Sequence, residues 1–134
     1  MKGSCLCGTV AFEAEPPADG LRIGLCSCPS CRKAHAAPCN VYASVPRGGF
    51  RWTRGEQAVR TYRSSPGKLR RFCGACGSQV MAEHPDQPTV ILRVALLDED
   101  PGVRPVERIH RAHEVPWCDP ESPGIVSYRG EPTP

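Results

Sequence analysis

Cys26-Ser27-Cys28-Pro29-Ser30-Cys31, followed by Arg32-Lys33-Ala34-His35, places three thiols within six positions. That density is too great for a hydrophobic core and too local for ordinary disulfides. A soft, thiolate-binding metal accounts for it, and zinc is the default ion. Three protein ligands leave one corner of a tetrahedron for water or a substrate atom, the pattern of a reactive zinc. A fourth ligand from elsewhere would close the site and make it structural. The local spacing does not separate these two readings. Pro29 suits the first turn of a helix, where its missing N–H is not needed, so a short helix over 29–37 is expected. Its N-terminus would face the thiols and favour thiolate, and Arg32 and Lys33 would act in the same direction.

On either side of this stretch the chain reads as short strands. Val10, Phe12 and Ala14 alternate with mostly polar neighbours, until Pro16-Pro17 and Asp19-Gly20 turn the chain. Leu21, Ile23 and Leu25 alternate again and deliver it to Cys26, so these first two strands are expected to form a hairpin. Val41 to Val45, Phe50 to Trp52, Gln79 to His84, Thr89 to Leu97 and Glu107 to His113 read as further strands. Val59–Ser64 and Lys68–Cys73 form a hairpin across Ser65-Pro66-Gly67, a strong turn signal. The expectation is one mainly β domain over 1–120 and an irregular tail over 121–134.

Composition narrows the setting. The 134 residues include nine cysteines. Met1-Lys2-Gly3-Ser4-Cys5 contains no apolar signal region, and no apolar run is long enough to span a membrane. A cytoplasmic location is expected, where thiols stay reduced and bind metal. The odd cysteine count and tight spacings argue against a secreted disulfide scaffold. The formal charge is +3. A four-thiolate zinc carries −2 and a three-thiolate zinc −1, which brings the holoprotein near neutrality. A nucleic-acid partner then loses its electrostatic support.

A second constellation completes the cysteine pattern. Cys73-x-x-Cys76, flanked by Gly74 and Gly77, reads as a zinc knuckle. It supplies two ligands, and Cys5-x-Cys7, also followed by glycine, is the evident second pair. Together they would close a structural four-cysteine site that adds directly to folding free energy. A redox reading of Cys73-Gly74-Ala75-Cys76 wants a βαβ context, which the strand pattern lacks. Cys39 and Cys118 remain as singles and read as packed thiols. His84, His110 and His113 read as surface or core residues, while His35 would stand one helical turn from Cys31.

In this order the clusters resemble the glutathione-dependent formaldehyde-activating enzyme family, which shares its domain with centromere protein V. The residues that carry the resemblance are Gly3-Ser4-Cys5-Leu6-Cys7-Gly8, Cys26-x-Cys28-x-x-Cys31-Arg32-Lys33 and Arg71-Phe72-Cys73-Gly74-x-Cys76-Gly77-Ser78, with Pro116-Trp117 near the end. It spans roughly Gly3 to Asp119. The resemblance implies small antiparallel sheets around a structural zinc, similar to the zinc-binding Rab-exchange-chaperone fold. It implies two zinc ions per chain: a structural one on Cys5, Cys7, Cys73 and Cys76, and a catalytic one on Cys26, Cys28 and Cys31. It also implies a carbon–sulfur lyase that joins formaldehyde, or another small aldehyde, to glutathione or a similar thiol. Arg32, Arg70 and Arg71 are candidates for glutathione's carboxylates, or else solvated charges and thiolate partners. Trp52 and Trp117 could wall a pocket, although core packing is the expectation for each. Two departures bear on substrate choice: relatives often carry His at the positions of Ser27 and Cys118. The alternative function is a non-catalytic zinc- or thiol-binding or protein-interaction domain of the same fold.

Overall fold

The structure is a computed structural model and describes residues 1–119 and 122–131. In chain order the elements are β1 (Lys2–Ser4), β2 (Ala11–Ala14), β3 (Ile23–Cys26), α1 (Pro29–His35), β4 (Asn40–Pro46), β5 (Phe50–Arg54), β6 (Val59–Ser65), β7 (Lys68–Cys73), β8 (Gln79–Glu83), β9 (Thr89–Arg93) and β10 (Pro105–Ile109). They build two sheets. The smaller has the order β1-β2-β5, and the larger runs β10-β3-β4-β9-β8-β7-β6. All pairings are antiparallel except β3 with β10, which is parallel.

Alternation along the strands decides what each sheet buries. Val10, Phe12 and Ala14 meet Val45, Val80, Met81, Val90 and Leu92 in the main core. Phe12 stacks on Phe50, ring centroids 5.5 Å apart. Full burial of such a ring stabilises the fold by about 2–3 kcal/mol. Gly3 lets β1 lie across it, because a Cβ there would stand 2.3 Å from Phe12 Cζ. A smaller cluster of Ile23, Ala43 and Val94 extends the core toward β3.

The opposite face of the large sheet is polar, and the register shows which residues it carries. Arg71 pairs with Met81 and Met81 with Leu92, on the core side. Arg70 pairs with Ala82 and Ala82 with Ile91, on the other side. Arg93 lies two residues beyond Ile91 and pairs with Tyr42, which pairs with Gly24. Cys26, two residues beyond Gly24, therefore shares a face with Arg93 and Arg70. Helix α1 lies against this face.

Several sequence expectations change. β2 and β3 do not form a hairpin: both edges of β2 are taken, by β1 and β5, while β3 enters the other sheet. Pro16-Pro17, which lack N–H donors, fall in the passage between them. The strand expected to run to Leu97 stops at Arg93, where Val94–Leu96 wind into a 3-10 turn. The last strand is Pro105–Ile109 rather than 107–113. His110 adopts a left-handed conformation, φ 58°, and a 3-10 turn follows. Trp117 is 79% exposed and does not pack in the core. Residues 122–131 contain no helix or strand; Pro120, Glu121 and 132–134, part of the expected domain and tail, lie outside the described residues.

Candidate metal centres

The first cluster joins chain segments far apart in sequence. Cys5 and Cys7 flank the bend between β1 and β2, Cys73 ends β7, and Cys76 follows in the turn to β8. Their four sulfurs lie within 4.8 Å of one another. Cys7 Sγ stands 3.6 Å from Cys5 Sγ and 3.9 Å from Cys73 Sγ. Sulfurs around a tetrahedral zinc with bonds of about 2.3 Å would be about 3.8 Å apart, so the cage has the right dimensions. Gly8 and Gly77 take φ of 75° and 80°, which lets the chain fold back at each pair. The Val10 N–H donates to Cys5 Sγ at 3.2 Å.

The surroundings favour thiolate at the rim. The Ser78 hydroxyl, with backbone N–H groups of Ser78 and Cys7, draws Cys76 down to about 5. The Thr9 hydroxyl and N–H lower Cys7 as well. Burial instead pushes the wholly buried Cys73 up to about 11. A cation placed among these sulfurs would remove that desolvation penalty.

The second cluster is local. Cys26 closes β3, Cys28 is the N-cap of α1, and Cys31 sits in its first turn. The Cys31 N–H donates to Cys28 Sγ at 3.4 Å, so one prospective ligand also caps the helix. The three sulfurs lie within 4.8 Å of one another. Among the described residues no fourth histidine, cysteine or carboxylate joins them. Cys26 and Cys31 are buried and Cys28 is half-buried, so the triangle opens on the Cys28 side. Burial pushes Cys26 up to about 12. Burial also raises Cys28, but the Cys31 N–H, the neighbouring thiols and the Ser30 N–H outweigh it and leave that thiol lowered.

The sequence reading missed Arg93. It is 4% exposed, and its charge acts on Cys31, Cys26 and Cys28. Burial, then Arg70, lowers it to about 10, so it stays cationic at neutral pH. The signal was an arginine inside the most apolar run of the chain, Thr89 to Leu97. His35 lies on the same side of the sheet. Burial, then Arg93 and Arg70, lowers it to about 4, so it is neutral at pH 7. It is not among the thiol-cluster ligands.

The three candidate arginines part company. Arg32 donates from Nε to the Ser27 carbonyl at 3.3 Å. Arg71 faces away from the three thiols; it donates to Glu83 at 2.8 Å and to Thr61 at 2.6 Å. With Arg47, Trp52 and Glu83 it lines a separate cavity of about 330 Å³. Arg70 faces α1 and lines a cavity of about 470 Å³ with Ser30, Lys33, Tyr62, Ser64 and Gln79. On the other flank, Ser27, Cys39, Arg108, Glu114 and Cys118 line a cleft of about 660 Å³. Cys39 and Cys118 are thus half-buried cleft residues rather than core thiols. Trp52 packs edge-on against Phe50 at 4.9 Å, beside the core. His110 and His113 are exposed neighbours, and His84 is half-buried. Two cysteine clusters could therefore bind metal ions. Among the described residues no helix is long and apolar enough to cross a membrane.

Comparison with known proteins agrees with this geometry. Residues 1–113 match the family described as glutathione-dependent formaldehyde-activating enzyme. The crystal structure of a Rhodobacter sphaeroides protein is similar, with a TM-score of 0.65 and 26% sequence identity. The likeness covers 81% of this chain and 99% of that one. No curated protein matches.

Proposed function

Because this chain belongs to the glutathione-dependent formaldehyde-activating enzyme family, we propose that it is a zinc-dependent carbon–sulfur lyase. Its substrate would be the adduct of glutathione, or a similar thiol, with formaldehyde or another small aldehyde. The observation that carries this reading is the three-thiol triangle, open at Cys28 and lacking a fourth described ligand.

Cys26, Cys28 and Cys31 would hold the reactive zinc, and Cys5, Cys7, Cys73 and Cys76 the structural one. When bound, the reactive ion supplies Lewis acidity and a binding position for a thiolate. The chain supplies the setting. Buried Cys26 and Cys31 keep water from the inner side of the triangle, while the half-buried Cys28 leaves an approach. Arg93 places a fixed positive charge behind three thiolates, whose charge one zinc does not fully offset. In the synthetic direction a carbon–sulfur bond forms between the thiol sulfur and the carbonyl carbon. The thiol proton ends on the aldehyde oxygen, and nothing is oxidised. The nine free cysteines suit a reducing compartment such as the cytoplasm.

Elemental analysis before and after a mild chelator, with Cys28→Ala alongside, tests the reading. Two zincs per chain should fall to one with the fold retained, and the variant should hold one from the start. Glutathione and formaldehyde should then be consumed by the two-zinc form alone. One tightly held zinc, unchanged by the substitution, would leave the alternative of a non-catalytic zinc-stabilised domain. Thiol binding without turnover would leave a thiol-binding module.

A further inference from the structure

The face beneath α1 buries positive charge that the fold does not neutralise. Arg70 is 3% exposed and its Nη1 has no hydrogen-bond partner. Among the described residues it forms no ion pair; those found involve Arg47, Arg51, Arg71, Arg104, Arg108 and Arg111. Arg93 and His35 share the same side of the sheet, and neither offers Arg70 a negative charge. Arg93 stands within electrostatic reach of Cys31, Cys26 and Cys28, whereas no anionic group is paired with Arg70 among the described residues.

The cavity in front of Arg70 is polar in a particular way. Ser64 Oγ and Gln79 Oε1 are both buried without hydrogen-bond partners. Both line the same cavity as Arg70, with Lys33 of α1 on its wall and no carboxylate among the lining residues. Buried polar atoms are ordinarily satisfied, and three unsatisfied groups converging on one space mark a place for a ligand. A guanidinium and a hydroxyl donate to a carboxylate, whereas an amide oxygen accepts from an N–H. Tyr62 and Phe72 give the cavity an aromatic side.

We propose that the cavity between α1 and β6–β7 binds an amino-acid-type end of a ligand. Arg70 and Ser64 take its carboxylate, and Gln79 accepts from the adjoining ammonium or amide N–H. This deepens the proposed reaction and rests on it only for the identity of the natural ligand, since either end of glutathione carries this pair of groups. The cavity and the thiol triangle flank the same short helix. Ser30 on the cavity wall is two residues from Cys28, so a ligand anchored at Arg70 lies beside the start of α1, and selection among thiols would rest on Arg70 rather than on the metal.

The test uses the full-length, zinc-loaded protein and S-methylglutathione, which keeps both carboxylates but has no thiol to offer a metal. Calorimetry should detect binding by the wild type. Arg70→Met should weaken it by at least about tenfold. Ser64→Ala should weaken it by about threefold. Zinc content should stay unchanged in both. The ligand-free Arg70→Met protein should melt no lower than wild type, because it loses a buried, unpaired charge. Should Arg70→Met fail to fold, Ser64→Ala decides alone. Failure of the wild type to bind, or unchanged binding in the variants that fold, overturns the proposal. Turnover of glutathione and formaldehyde is measured separately. Arg70-dependent binding without turnover upholds the pocket and sinks the lyase, whereas turnover with variant-independent binding does the reverse.

Discussion

Glu83 holds two cations at once on the core-side cavity. Its carboxylate receives Arg71 at 2.8 Å and also pairs with Arg47. Burial alone would raise its pKa, but the bonds from Arg47 and then Arg71 outweigh it and hold the group below its ordinary 4.5. A depressed folded-state pKa gives stability that is present above the unfolded value and lost as pH falls through the folded one. Glu83→Gln should therefore cost about 2–3 kcal/mol at pH 7, read from urea midpoints, because two charge-assisted hydrogen bonds are weakened. The gap to wild type should narrow once pH drops below about 4. Gly55 is constrained by shape instead. Its φ is 69°, and a Cβ there would stand 2.0 Å from the Thr9 carbonyl oxygen. Backbone cannot yield as a side chain does, so Gly55→Ala should destabilise by at least about 2 kcal/mol in the same assay.

At the scale of elements, α1 is short and its two ends differ. Cys28 caps its start, whereas Ala36 closes it in a left-handed conformation, φ 48°. Alanine there carries a cost that glycine does not, so Ala36→Gly should raise stability by about 0.5–1 kcal/mol. A fall in melting temperature would show that the Ala36 methyl is held by contacts worth more than its strain. The helix was legible because Pro29 and the flanking pattern speak locally. Strands with period-2 alternation, such as β2 and β4, were legible for the same reason, and the β6–β7 hairpin was legible from its Ser65-Pro66-Gly67 turn. Partner choice was not: nothing in Val10 to Leu25 shows that β2 is claimed on both edges. β1 escaped notice because Lys2-Gly3-Ser4 has no apolar alternation and owes its place to Gly3 lying over Phe12. Both cysteine sets were legible as spacings, and the structure brings each together. Arg93 and Arg70 were harder to read. A charged residue in a strand ordinarily signals the solvent face, and here a helix covers that face.

Across the whole molecule, metal bound at the two sulfur clusters would hold the chain in different ways. Cys7 and Cys73, 66 residues apart, belong to one cage that ties the small sheet to the large one. The other cage spans six positions and constrains only the entry to α1. Removing metal from the long-range cage should therefore unfold the protein, while emptying the local one should leave the fold intact. Circular dichroism followed against released zinc checks this. Signal should persist through loss of the first equivalent and collapse cooperatively with the second. Collapse with the first equivalent would mean that the local cage is structural too.

The cages also sit at different depths of the sheet. Four strand spacings separate β3 from β7, about 19 Å. On its outer side β3 is covered by β10 alone, an edge strand with all five residues exposed, whose Ile109 carbonyl receives the Ser27 N–H at 3.3 Å. Such an edge is where a sheet first breathes. Each time β10 peels away, the loop bearing Cys26 and Cys28 loses a tether, while β7 stays clamped between β6 and β8. Amide hydrogen exchange should thus run fast in β10 and residues 26–28 and slow through β7 to β9. The same edge would set how quickly a ligand enters or leaves beside Cys28.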